Sequence, residues 1–154
     1  MISKDPGVYA IIIYIKDNIN LTLAKNTHYF TPGYYVYLGS AKQYGGIKTR
    51  VNRHLKRNKK LKWHIDYLTS NHLVKIKAVI YAKTKIFKEC TFVKILKENY
   101  FEIASKNFGS SDCKEKCGAH LLKPTKYMNL KQIIIAIKEV FENKKLKPLI
   151  IIFD

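Results

Sequence analysis

Residues 7 to 15, "GVYAIIIYI", are apolar throughout and rich in β-branched side chains. A run with no polar alternation predicts a strand covered on both faces. "KDNIN" turns the chain, and "LTL", 21 to 23, is a short second strand. Pro32-Gly33 in "TPGYY" signals a type II turn, and "YYVYL", 34 to 38, is a third strand. The three predict an antiparallel meander. Tyr9 and Tyr37 then sit on adjacent strands, near strand ends or turns.

The period changes after Gly46. "IKTRVNRHLKR", 47 to 57, places Ile47, Val51 and Leu55 four apart, which predicts an amphipathic helix. Arg50 and His54 are also four apart and stack one turn from each other beside that stripe. "KKLKWHIDYLTS", 59 to 70, reads as a second helix with Trp63 and Tyr67 on one face. "LVKIKAVIYA", 73 to 82, alternates and reads as a fourth strand. "FKECTFVKILKENY", 87 to 100, reads as a third helix with the stripe Phe92, Val93 and Leu96. Residues 105 to 120 form a polar loop. "NLKQIIIAIKEVFENKK", 129 to 145, is a final amphipathic helix with Leu130, Ile133, Ile134, Ile137, Val140 and Phe141 inward. "PLIIIF", 148 to 153, reads as an edge strand, given Pro148. The order predicts an α+β fold: a small antiparallel sheet, three core strands plus an extra one, flanked by helices. Residues 1–125 are expected to form one domain, with 126–154 an extension packed on it.

Glu89 falls on the apolar stripe of the third helix. A carboxylate aimed at a core costs several kcal/mol unless it is paired or bound to a cation. The alternative is a first-turn acid that simply favours the helix dipole.

Charge narrows the partners. The 154 residues carry 29 Lys plus Arg against 11 Asp plus Glu, a net +18. Such a field attracts polyanions, and counterion release drives binding to nucleic acid. A Lys-rich surface that only confers solubility is the bland alternative. No basic amphipathic helix with Trp or Phe anchors suggests a membrane surface. The longest apolar run, Val8 to Ile15, is far short of the ~20 residues that span a bilayer. "MISKDPG" has no basic-then-apolar signal region, so a cytoplasmic protein is expected. No small-molecule cofactor is expected.

Cys90, Cys113 and Cys117 are odd in number, which argues against a disulfide framework. Cys113-x3-Cys117-x2-His120 has spacing that suits zinc, with Cys90 or Asp112 as a further ligand. Reduced thiols around a loop are the alternative reading, and the weightier one.

The remaining chemistry gathers around "YLG". Tyr9 and Tyr37 lie on neighbouring strands, and Gly39 ends one of them without a Cβ, leaving room for a ligand backbone. Arg50 and His54 share a helical edge, and Glu89 is a lone carboxylate. Phosphodiester hydrolysis needs such a set: a metal on a carboxylate, a base for water, and a guanidinium for the crowded phosphorane. Arginine suits that last role because its fork pairs phosphate oxygens bidentately. Taken singly, Tyr9 and Tyr37 read as ordinary strand aromatics in a chain with 11 tyrosines. His64 and Asp66 in "WHIDYL" read first as a structural hydrogen-bond pair, with a place in a site or on a substrate surface as the alternative. Ser40, Arg53, Lys56, Arg57, Lys59 and Lys60 are candidate phosphate-positioning residues that give affinity without sequence information.

"GVY" at 7 to 9 and "YLG" at 37 to 39 resemble the paired signature of the GIY-YIG nucleases. "GSAKQYGG", "RHLKRNKKLKWHIDYL", "KEC" and "FGSSDC…HL" are similar to the Uri-type branch, found mainly in archaea and thermophiles. The resemblance runs from about Pro6 to Leu122. It implies a three-stranded antiparallel sheet flanked by helices, one magnesium or manganese ion, and hydrolytic cleavage of DNA. It implies Tyr9 as general base or water-positioning group, and Tyr37 as orienter of nucleophile or phosphate. Arg50 would stabilise transition-state charge, His54 would assist proton transfer or phosphate binding, and Glu89 would hold the metal. A tyrosine base needs help, since its reference pKa is about 10; Arg50 and a cation would favour its phenolate. Twenty-seven residues separate Tyr9 from Tyr37, more than the family's compact hairpin, and the extra "LTL" strand absorbs them. The competing functions are a non-catalytic nucleic-acid-binding domain with the same fold and, less favoured, RNA processing.

Overall fold

The computed structural model describes residues 2–42, 45–109 and 117–153. The chain opens with strand β1 (Gly7–Ile15), then β2 (Ile19–Leu23), β3 (Asn26–Phe30) and β4 (Gly33–Ala41). Helices α1 (Gly46–Leu55) and α2 (His64–Thr69) follow, then β5 (Val74–Lys83) and α3 (Glu89–Glu98). Short strands β6 (Phe101–Ile103) and β7 (Leu121–Pro124) precede α4 (Leu130–Asn143) and β8 (Leu149–Ile152). The fold is α+β, with six strands in the order β6-β7-β4-β1-β5-β8 and every neighbouring pair antiparallel. A separate two-stranded sheet is made by β2 and β3.

β1 lies at the centre because its side chains suit burial on both faces. Val8, Ala10 and Ile12 join the cluster under α3 and α4; Tyr9, Ile11 and Ile13 join the cluster under α1 and α2. Each fully buried Ile contributes about 1.5–3 kcal/mol. α4 seals the first cluster with Ile133, Ile134, Ile137, Val140 and Phe141, as its sequence period predicts. Its start is fixed by Asn129, whose side chain accepts from Gln132 N while Gln132 reaches back to Asn129 N. β8 is one of the sheet's two edge strands, as Pro148 suggested.

Three sequence expectations need correction. The "LTL" strand does not extend the main sheet: it pairs with β3, and β4 returns directly to β1 in place of the meander. β3 is hidden in sequence because "NTHYF" buries only His28 and Phe30. The second helix is six residues long, not twelve. Asp66 Oδ2 accepts from Lys62 N at 2.9 Å and Trp63 N at 2.8 Å, which fixes the helix start at Trp63 and leaves 59–62 outside it. Gly39 does not end its strand, since β4 continues to Ala41. No helix among the described residues is long and apolar enough to cross a membrane.

Candidate active site

The register of β1 on β4 sets Tyr9 opposite Gly39. A Cβ on Gly39 would lie 2.4 Å from Tyr9 Cζ and 2.5 Å from its Oη. The missing side chain therefore makes room for the Tyr9 phenol ring rather than for a ligand's backbone. Tyr37, two residues earlier on β4, points to the same face of the sheet. The two phenols stand side by side because "GVY" and "YLG" pair antiparallel at this offset.

α1 brings up the cations. Gly45 and Gly46 have φ of 87° and 57°, and a Cβ on Gly46 would meet the carbonyl oxygens of Lys4 and Asp5 at 2.1 and 2.3 Å. The glycine pair thus lets the helix start tightly against the N-terminal segment. One turn in, Arg50 stacks on Trp63 at 4.8 Å from the ring centroid. Among the described residues its guanidinium has no hydrogen bond or ion pair. Another turn on, His54 is 1 % exposed, and its Nε2 lies 2.9 Å from Tyr9 Oη. The imidazole packs among Tyr9, Tyr37 and Trp63, with ring centroids 5.5 to 5.8 Å away.

Glu89 comes from the opposite side. It opens α3, which packs on the other face of the sheet from α1. β7 pairs with β4 only at Val36 and Tyr37, and one further bond joins Leu38 N to His120 O. Beyond Leu38, β4 outruns its neighbour. Ser40 faces α3, and its hydroxyl donates to Glu89 Oε2; at that open edge Glu89 lines the same cavity as Tyr9 and Tyr37. Glu89 is thus both a first-turn acid and a cavity wall.

The result is one cavity of about 320 Å³. Tyr9, Tyr37, Arg50 and Glu89 line it together with Gly39 and Ser40, and His54 stands directly behind Tyr9. Lys62, Trp63, His64, Gly109 and His120 complete the wall. His64 is held by Gly109 N, which donates to its Nδ1 at 3.0 Å. It does not pair with Asp66. A larger cavity, about 660 Å³, lies by Tyr14, Tyr34 and Tyr127 and contains none of these motif residues. Its one carboxylate, Glu102, is 3.6 Å from Lys123 Nζ, so the smaller cavity is the candidate site.

Burial governs the proton equilibria. Tyr9 is pushed well above the ordinary phenol range by burial first and Tyr37 next; Arg50 pulls it down by less. Tyr37 is raised by burial and by Glu89, again against Arg50. Arg50 acts in the direction the sequence suggested, but desolvation wins. His54 is lowered to about 3 by burial, then by Lys59, Arg53 and Arg50, so the imidazole is neutral at pH 7. Among the described residues its buried Nδ1 has no hydrogen-bond partner. A proton there would orphan a buried donor at about 1–3 kcal/mol. A proton on Nε2 orphans only a lone pair, the milder defect. Nε2–H therefore donates to Tyr9 Oη, and the tyrosine's own proton turns toward the cavity.

The other basic candidates divide. Arg53 pairs with buried Asp66 at 2.6 Å and stacks on Trp63. Lys59, its side chain 4 % exposed, donates to Arg53 O, His54 O and Thr69 Oγ1, tying the end of α1 to α2. Arg57 donates to the carbonyls of Asn71 and Val74. Lys56 and Lys60 are exposed. Of the zinc candidates, Cys90, Cys117 and His120 cluster, each offering a donor atom within 4.8 Å of the others. Cys113 and Asp112 lie outside the described residues. Sequence reasoning gave Trp63, Lys62 and Gly109 no place in the site, because they arrive from separate loops with no spacing signal.

A family model described as "Domain of unknown function DUF123" matches residues 8–143. The chain belongs to the DUF123 family. The DUF123 match takes in every cavity residue and ends with α4. No curated protein and no solved structure matches the chain.

Proposed function

We propose that this protein is a divalent-metal-dependent endonuclease that hydrolyses DNA phosphodiester bonds, a Uri-type member of the GIY-YIG nucleases. The observation that carries this reading is the convergence of Tyr9, Tyr37, Arg50 and Glu89 on one cavity, with His54 bonded to Tyr9. The motif resemblance and the +18 charge support it.

The residues suit a hard cation. Glu89 has no ion-pair partner among the described residues, in a protein rich in lysine. With the Ser40 hydroxyl it offers oxygen donors only, and one carboxylate beside substrate phosphate is the usual magnesium pattern. Glu89 would hold the ion, which supplies Lewis acidity toward a phosphoryl oxygen. Arg50, backed by Trp63, meets the phosphate with donors that none of the described residues occupies. Tyr37 orients the phosphate from the cavity floor. Tyr9 Oη, held by His54 Nε2–H, aligns the attacking water and takes its proton once the phenol is ionised. The His54 donor favours that phenolate, and burial opposes it. Cleavage is therefore expected to speed up as pH rises, about tenfold per unit from near 7 to about 9.

Glu89→Gln is the direct test. Purified protein is expected to nick or cut DNA with magnesium or manganese, and the variant to lose about 10³-fold in rate without losing its fold. Equal cleavage by the variant would remove Glu89 from the metal site. DNA bound but uncut in both ions would instead favour a non-catalytic binding domain. Matched RNA and DNA substrates separate RNA processing from both.

A further inference from the structure

Beside the cavity, and separate from its oxygen donors, lies a second donor set. Cys90 is the second residue of α3, so its Sγ sits in the first turn, where the helix dipole favours a thiolate. Cys117 and His120 come from the segment entering β7. Between them Gly118 has φ of 101°, and a Cβ there would lie 2.6 Å from Ile103 Cδ1. That left-handed turn brings Cys117 and His120 back toward the same point. His120 is fixed on both backbone sides: its N donates to Phe108 O and its O accepts from Leu38 N. All three residues are buried, and their donor atoms lie within 4.8 Å of one another. Cys90 Sγ and His120 Nε2 are 3.4 Å apart. Ligands at about 2.3 Å (sulfur) and 2.0–2.1 Å (nitrogen) from one tetrahedral zinc lie about 3.6 Å apart, so this pair already spans a zinc edge.

We propose that Cys90, Cys117 and His120 hold a zinc ion that staples the first turn of α3 to the entry of β7. Two sulfurs and an imidazole select zinc over magnesium or manganese, whose preference is for oxygen. The staple joins two walls of the cavity. Glu89 precedes Cys90 in the chain, and His120 itself lines the cavity. With three protein ligands among the described residues, the fourth position is left to water, and the ion would fix where the Glu89 carboxylate stands. Buried soft ligands also explain why two cysteines and a histidine meet at the edge of an otherwise apolar cluster.

The test reads metal, not cleavage, so it stands apart from the endonuclease proposal. The full chain, purified under reducing conditions and dialysed, is expected to hold about one zinc per chain by elemental analysis. Exchange to cobalt is expected to give a thiolate-to-cobalt charge-transfer band and the intense visible bands of tetrahedral cobalt. Cys90→Ala and His120→Ala are each expected to abolish stoichiometric zinc. Glu89→Gln is expected to keep both the zinc and the cobalt spectrum, because it touches only the oxygen site. Should the cysteine variant not fold, His120→Asn and the wild-type cobalt spectrum still decide. Wild-type protein with no bound zinc and no thiolate band after reconstitution would overturn the proposal. So would a full zinc equivalent that survives in folded Cys90→Ala.

Discussion

The two faces of the central sheet are built differently. Under α3 and α4, the buried residues are aliphatic and phenylalanine side chains, with Cys90 and Cys117 at the edge. Under α1 and α2, four buried tyrosines are packed with Phe30 and Phe108, and His28, His54, Asp66 and Thr69 are buried nearby. Burying polar groups is costly unless each is bonded, so the second face must be specified by hydrogen bonds as well as shape. The first needs only volume and period. Both faces hold the fold, but only the second also lines the candidate cavity, at the edge where β4 outruns β7.

The comparison breaks first at Asp66. It is fully buried, pairs with Arg53, and holds the start of α2 through Lys62 N and Trp63 N. Asp66→Ala would leave the Arg53 guanidinium and the nearby Lys59 ammonium without their carboxylate, a loss of about 3–5 kcal/mol by urea denaturation. Cleavage should fall with it, because Trp63 carries Arg50. On the polar face, fold and chemistry fail together.

A matched pair then sharpens the contrast. Arg50→Ala is expected to cut the cleavage rate about 10²–10³-fold with little change in melting temperature. Ile137→Ala, in the centre of the apolar face, is expected to cost about 2–4 kcal/mol while each folded molecule cleaves at the normal rate. Equal behaviour of the two variants in both assays would erase the distinction between the faces.

Acid gives the most graded test, smallest in effect for each pH unit. The folded pKa of His54 lies near 3, below the unfolded value of about 6.5, so between these the unfolded chain binds a proton that the folded chain refuses. Stability contributed by neutral His54 is complete above about pH 6.5 and falls by about 1.4 kcal/mol per unit as pH drops toward 3. His54→Gln should flatten that slope. An unchanged slope in the variant would assign it to other groups.

The apolar face was largely legible in the sequence. The run 7–15, the stripe of α4, and the edge strand after Pro148 each follow a single local rule. The polar face was legible only by motif. Tyr9, Tyr37, Arg50, His54 and Glu89 could be named, but their convergence depends on the register of β1 on β4 and on the short length of β7. The reason for Gly39 was also out of reach: its partner is a phenol ring thirty residues earlier. β3, β6 and β7 are too short, or too polar on one side, to announce themselves. Arg53, Arg57 and Lys59 looked like surface charge, yet each is engaged by buried or backbone partners that lie across a loop.

The central claim is that the five named side chains serve one cation site. A crystal grown with manganese, measured at a wavelength where manganese scatters anomalously, tests it most directly. The account predicts a peak in the cavity at about 2.1–2.3 Å from a Glu89 carboxylate oxygen, on the side facing Tyr9 and Tyr37. A fully occupied manganese peak elsewhere, with Glu89 holding only Ser40, would contradict it.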